Sequence, residues 1–224
     1  MSPARAIGGL LLDLVYPPRC AVCGEAGPAF CPACRDTIVA AERAGVPPPL
    51  AEASQVGEHS GALREAILRL KYERDLSLLA PLAELLVDEI AAQPDWRLDA
   101  LVPVPLHWRR RWRRSFDQAE LLARDVSRRT GLPVVRALRR ARYTRAQVGL
   151  DRRERAENLR AAFALEAGAF VGGMRVALID DVRTTGATLV AAAGPLHQAG
   201  AAAIYALTLT TEGGDARSPR DEWL

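Results

Sequence analysis

Lysine is almost absent from this chain of 224 residues: Lys71 stands alone against 29 arginines. With the abundant alanine, the bias reads as GC-rich coding rather than chemistry. No run of about 18 apolar residues occurs, so no transmembrane helix and no membrane insertion are expected. The apolar stretch from Ile7 to Val15 is short and broken by Asp13, and no small-residue cleavage site follows it. A secretory signal is therefore not expected, and a cytoplasmic protein is. Ile7, Leu10, Leu11 and Leu14 instead fit a short amphipathic helix packed on the rest of the protein.

What is present fits one ordinary domain plus a small module. The hydrophobic fraction of 49% is enough for a real core. The net charge of +3 hides an asymmetry. From His107 to Arg160 there are 17 arginines against 6 acidic residues, and the remainder carries 13 basic against 21 acidic. One central stretch is thus strongly basic and suits a polyanionic partner, although a solvated arginine face has the same composition.

All four cysteines fall in one short segment, as Cys20-Ala-Val-Cys23 and Cys31-Pro-Ala-Cys34. Each pair can form a tight knuckle, and four thiolates close a tetrahedral zinc shell with no open position, so the site is read as structural. Gly24 and Gly27 supply backbone freedom for the loop. Disulfides are disfavoured without secretion, and a redox dithiol needs one such pair rather than two.

The proline run Gly45-Val-Pro-Pro-Pro-Leu50 reads as a stiff linker. The expected organisation is a helix and four-cysteine knuckle over 1–45, a linker over 46–53, a strand–helix domain over 54–212 and a disordered tail over 213–224. Strands are expected near Ser54–Glu58, Asp99–Val104, Pro133–Leu138, Met174–Ile179 and Ala203–Leu209. Leu63, Ile67, Leu68 and Leu70 predict a helix ending near Lys71-Tyr72. Asp75 is placed to cap the next helix, and further helices are expected at Gln118–Thr130 and Ala187–Ala199. Such alternation predicts a parallel sheet covered on both faces.

The densest chemistry lies in Val176-Ala-Leu-Ile-Asp-Asp-Val-Arg-Thr-Thr-Gly-Ala-Thr188. Ligands of a parallel sheet bind beyond the carboxyl ends of the strands, where Asp180 and Asp181 are expected. Adjacent carboxylates can accept hydrogen bonds from vicinal hydroxyls such as those of a ribose. Gly186 lets the backbone approach an anion, and Thr184, Thr185 and Thr188 add hydroxyl donors. Beyond Ala187 a helix start supplies free N–H groups for a phosphate. A nucleoside-triphosphatase reading of the acids fails, because no GxxxxGK[ST] loop is present. Strand-end acids followed by a simple helix cap are the structural alternative.

This segment resembles the phosphoribosyl pyrophosphate loop of type I phosphoribosyltransferases. Asp99-Ala-Leu-Val-Pro-Val-Pro-Leu106 with the following arginines resembles their pyrophosphate loop, and Arg142 to Arg160 resembles their mobile loop. With its N-terminal four-cysteine knuckle the chain is similar, from about Leu10 to Leu209, to the ComF/GntX family of competence-associated phosphoribosyltransferase-like proteins. The resemblance implies an α/β fold, a phosphoribosyltransferase-like parallel sheet flanked by helices. It implies ribose held by Asp180 and Asp181, 5′-phosphate by Thr184, Thr185, Gly186, Ala187 and Thr188, and pyrophosphate by Arg109 and Arg110. Arg145 and Arg152 are the expected catalytic contribution of the mobile loop. Magnesium is expected with phosphoribosyl pyrophosphate, and zinc at the cysteines. Competence-machinery proteins and a second copy of the chain are partners the resemblance admits. The chain departs from the family's Arg-Gly-Phe-Asn-Gln at Arg114-Ser-Phe-Asp-Gln118, where Ser115 and Asp117 replace glycine and asparagine.

Trp108-Arg-Arg-Arg-Trp-Arg-Arg-Ser-Phe116 interleaves aromatics with arginines, a combination suited to single-stranded DNA. It fits equally a helix start with Trp108, Trp112 and Phe116 turned inward. Two functions follow: a phosphoribosyltransferase with an unspecified acceptor, or a DNA-binding accessory of DNA uptake that uses the fold without turnover.

Overall fold

The computed structural model describes residues 18–42, 45–106, 117–141 and 162–212. The expected N-terminal helix and the tail from Gly213 lie outside them. In chain order the elements are α1 (Pro32–Arg35), β1 (Glu52–Glu58), α2 (Gly61–Leu68), α3 (Leu79–Ala91), β2 (Ala100–Pro103), α4 (Gln118–Thr130), β3 (Leu138–Arg140), β4 (Phe163–Leu165), β5 (Arg175–Arg183), α5 (Ala187–Gln198) and β6 (Ala203–Thr211). A π-turn, Arg69–Glu73, extends α2, and a short 3-10 turn at Leu76–Leu78 leads into α3.

Four strands form one parallel sheet in the order β1-β6-β5-β2. The central strands read as such in the sequence because both their faces are covered. Val176, Ala177, Leu178 and Ile179 are all fully buried, so the run is continuously apolar rather than alternating. Ala177, Ile179, Tyr205 and Leu207 pack with α2, α3 and α4. Val176, Leu178, Ile204 and Ala206 pack with α5 and with the small antiparallel pair β3–β4. A parallel α/β sheet flanked by helices is therefore what the chain forms.

The cysteine module is part of this core. Phe30, Cys20, Cys31 and Cys34 are buried in the same cluster as Leu63, Ile67 and Leu82. Arg35 reaches Glu84 at 3.3 Å, tying α1 to α3.

Two expectations need correction. The segment Pro133–Leu138 is not a strand. Val134 makes a single bridge to Leu101, and the chain then leaves the sheet edge before β3 begins at Leu138. Val134 and Val135 are half-buried and Ala137 and Leu138 are buried, but burial does not require a ladder. Strand β5 also does not stop before the acids: it pairs with β6 as far as Arg183–Thr211, so Asp180 and Asp181 lie within it.

Candidate ligand site and zinc ribbon

Strand β5 carries Asp180 and Asp181 to the carboxyl end of the sheet and passes into the Thr184–Gly186 turn. Gly186 takes a left-handed conformation (φ 75°) as the N-cap of α5. A β-carbon there would meet only Arg183 at ordinary contact distance, so the backbone angle, not space, demands glycine. Thr184 and Thr185 are exposed and Thr188 is half-buried. The first N–H groups of α5 have no acceptor within the helix. Along the chain the acid pair is thus followed closely by the threonine hydroxyls and the helix start.

Electrostatics distinguish the two acids. Burial, and next the charge of Asp181, push the Asp180 carboxyl up to about 7, against an opposing hydrogen bond from the Asp181 N–H. Asp181 instead meets a cation: Lys71 Nζ lies 3.0 Å from its Oδ1, with both side chains largely withdrawn from solvent. The charge of Asp117 is the least of the influences that raise Asp180. The main work of Asp117 is local: Oδ1 accepts from Glu120 N–H (3.3 Å) as the cap of α4, and Oδ2 accepts from Leu106 N–H (3.1 Å). Asparagine would cap the helix about as well, but only a carboxylate also presents a second accepting oxygen to Leu106, which accounts for Asp117 structurally.

Several polar groups here carried no sequence signal. Arg183 is buried, and its Nη2 donates to Gln55 Oε1 at 3.1 Å while its Nε finds no acceptor. Burial lowers its pKa. Thr208, the ladder partner of Asp180, has an unpaired hydroxyl, and the buried Gln118 has both amide atoms unpaired among the described residues. Buried polar atoms are normally satisfied; Arg183 and Thr208 flank the acid pair on β5 and its neighbour β6, whereas a further orphan, Gln93 Nε2, lies beyond the end of α3. Only contacts between elements far apart in the chain reveal them. Arg109 and Arg110, Ser115, and the expected loop residues Arg145 and Arg152 lie outside the described residues.

At the other site the four sulfurs lie within 4.8 Å of one another. Cys20–Cys34 and Cys23–Cys31 are separated by 3.8 and 3.7 Å. A tetrahedron with zinc–sulfur bonds of about 2.3 Å has edges of about 3.8 Å, so the cage fits that ion. Burial, followed by the neighbouring thiols, pushes Cys34 upward, while backbone amides outweigh burial at Cys20 and pull it down. Gly24 and Gly27 both take positive φ, as the loop required. The cysteines are the one such cluster among the described residues. Two carboxylates alone make no magnesium cage, but they suit an ion that arrives on a phosphate and keeps its waters.

A double zinc ribbon domain model matches residues 11–45. The DNA utilization protein YhgH of Salmonella typhi is 33% identical over 198 residues, spanning 83% of this chain and 86% of that protein. The chain belongs to the ComF family. Other members similar to it are competence protein F of Haemophilus influenzae, 36% identical over 140 residues (60% of this chain, 61% of that one), and competence protein ComFC of Bacillus subtilis, 28% identical over 193 residues (85% and 76%). Among solved structures, the glutamine phosphoribosylpyrophosphate amidotransferase from B. subtilis overlaps 64% of this ComF-family chain and 30% of its own, with 20% identity and a TM-score of 0.45. An adenine phosphoribosyltransferase overlaps 63% and 73%, with 19% identity and a TM-score of 0.39. Overlaps this loose do not assign a fold by themselves. Among the described residues, no helix of this family member is long and apolar enough to cross a membrane.

Proposed function

We propose that this ComF-family protein binds phosphoribosyl pyrophosphate at the carboxyl end of β5 and transfers its phosphoribosyl group to an acceptor. The observation that carries the reading is the continuity of one segment. Acids within the strand run directly into a threonine–glycine turn and the N-terminus of a 12-residue helix. In this reading Asp180 and Asp181 accept hydrogen bonds from the ribose hydroxyls. Thr184, Thr185 and Thr188, with the N–H groups at Gly186 and Ala187, hold the 5′-phosphate against the positive helix end.

Such chemistry needs no protein nucleophile. The acceptor's lone pair forms a bond to the sugar carbon as the bond to pyrophosphate breaks, and charge develops on the departing diphosphate. The protein's task is to orient the sugar, exclude water and meet that charge. Arg109 and Arg110 are proposed for the diphosphate, and Arg145 and Arg152 for closure over it. Magnesium bound with the ligand supplies further charge stabilisation for the diphosphate oxygens.

Calorimetry with phosphoribosyl pyrophosphate and magnesium tests the site. Wild type should bind, and the Asp180→Ala/Asp181→Ala double variant should not. Equal affinity in the two would remove the assignment.

A second reading has its own support. Relatives carry the names DNA utilization protein and competence protein, and the stretch from Trp108 to Phe116 interleaves arginines with aromatics. In that reading the protein binds single-stranded DNA and uses the sugar-phosphate site for regulation. Pyrophosphate release with a panel of bases and amines favours transfer. Salt-dependent DNA binding without turnover, lost when Arg110, Arg111, Arg113 and Arg114 become alanine, favours the accessory role.

A further inference from the structure

Lys71 enters the acid pair from outside the motif. It sits on the π-turn Arg69–Glu73, a rare helix form frequent at functional sites. The turn ends on Arg74 at φ 58°, a left-handed conformation that costs a non-glycine residue energy. Two unfavourable backbone features within six residues therefore deliver one ammonium to one carboxylate. The nearer acids Glu65 and Glu73 are engaged by Arg69, at 2.9 and 3.8 Å, which leaves Asp181 as the acid that Lys71 meets.

Composition sharpens the point. The chain uses arginine 29 times and lysine once. A bias of coding alone would have put arginine here too, since either residue supplies a positive charge. The two differ in shape. Arginine offers a broad planar fork, and lysine a compact charge with three donors that can be shared among acceptors in a small space. The Asp181 contact uses one of those donors, with both side chains only 13% and 15% exposed. An ion pair so withdrawn from water gains little over apolar packing, which makes stability a weak reason for its presence.

We propose that Lys71 is a ligand-binding residue of this site: its ammonium positions Asp181 and offers its remaining donors to an anionic oxygen of the phosphorylated sugar bound beside the acid pair. The inference rests on the phosphoribosyl reading and deepens it, because it adds a cation from α2's extension to a motif that supplies only acids, hydroxyls and amides.

The lone lysine makes the test unusually clean. The full chain labelled with carbon-13 lysine gives a single ε-methylene resonance, which belongs to Lys71. Adding phosphoribosyl pyrophosphate with magnesium should shift it. Lys71→Met should weaken binding about tenfold or more in calorimetry, with Lys71→Arg recovering only part of the loss. The resonance needs no variant, so it answers even if a substituted chain folds poorly. A wild-type protein that binds the ligand with a stationary resonance, or a Lys71→Met chain of unchanged affinity, overturns the role of Lys71 alone. A wild type with no calorimetric binding overturns the phosphoribosyl reading and this inference together.

Discussion

Asp180 is the residue whose environment opposes its ordinary state. Its carboxyl is pushed up to about 7 by burial and by Asp181. The folded protein therefore binds that proton more tightly than the unfolded chain, and the linkage has a definite sign. Below about pH 4 both states are protonated and the group costs nothing. As pH rises toward 7 the unfolded chain ionises freely while the folded one resists, so stability falls across that window. Asp180→Asn should remove the cost. Denaturant unfolding at pH 8 should find the variant more stable by about 1–3 kcal/mol, less than the full shift implies because the side chain is part-exposed, with the gain shrinking toward pH 4. A variant less stable than wild type at pH 8 would contradict the assignment. The same residue predicts proton release on ligand binding near pH 7, since ribose hydroxyls and magnesium favour the carboxylate. Calorimetry in buffers of different ionisation enthalpy should show binding heats that vary with buffer, and invariant heats would count against it.

Among the elements, α4 and the β5–α5 junction carry the clearest local logic. Asp117 caps α4 and also ties down Leu106, so it links the helix to the segment after β2. Asp117→Ala should cost about 1–2 kcal/mol in thermal or denaturant unfolding, and Asp117→Asn, which keeps an acceptor for one N–H but turns an amide donor toward the other, should cost about 1 kcal/mol. At the junction, Gly186→Ala strains a backbone at φ 75° and should destabilise by about 1 kcal/mol while weakening phosphoribosyl pyrophosphate binding more than its stability loss explains. Helix α4 and the buried runs of β5 and β6 were legible in sequence because each has a strong period or an apolar run with a clear stop, such as Gly131 at φ 77°. The Pro133–Leu138 run was misread because an apolar stretch reports burial, not pairing. Helix α2 was expected to end at Lys71-Tyr72, and the π-turn there has no signature in periodicity. Lys71 escaped notice for a related reason. Its partner lies on another element, and a compositional explanation for scarce lysine hid the one lysine that remained. The motif from Asp180 to Thr188 was readable because donor, acceptor and turn residues are consecutive. The orphan atoms of Arg183 and Thr208 become neighbours of the acid pair only through the β5–β6 ladder.

At the scale of the whole molecule, the zinc ribbon and the sheet are not two independent bodies. Cys20, Phe30, Cys31 and Cys34 share a buried cluster with α2, α3 and α4, and those helices cover the face of the sheet beneath Asp181. The four sulfurs lie within 4.8 Å of one another, and burial and the neighbouring thiols push Cys34 upward, so without a cation the cage resists gathering four thiolates. Zinc resolves the conflict by binding thiolates, and structural zinc sites contribute folding energy directly. Losing it must then loosen Phe30 and the packing of Leu63 and Ile67, on the helix that runs into the π-turn holding Lys71 to Asp181. Removal of zinc by a strong chelator should therefore lower the melting temperature of the entire chain by about 10 °C or more in one transition, with the sheet and the ribbon unfolding together. Cys34→Ser should reproduce this shift without chelator, because Cys34 is buried and its loss leaves an open coordination position. Phosphoribosyl pyrophosphate affinity should fall in parallel. Two separated calorimetric transitions, with the sheet's unchanged by chelation, would show that the shared cluster does not couple the ribbon to the site.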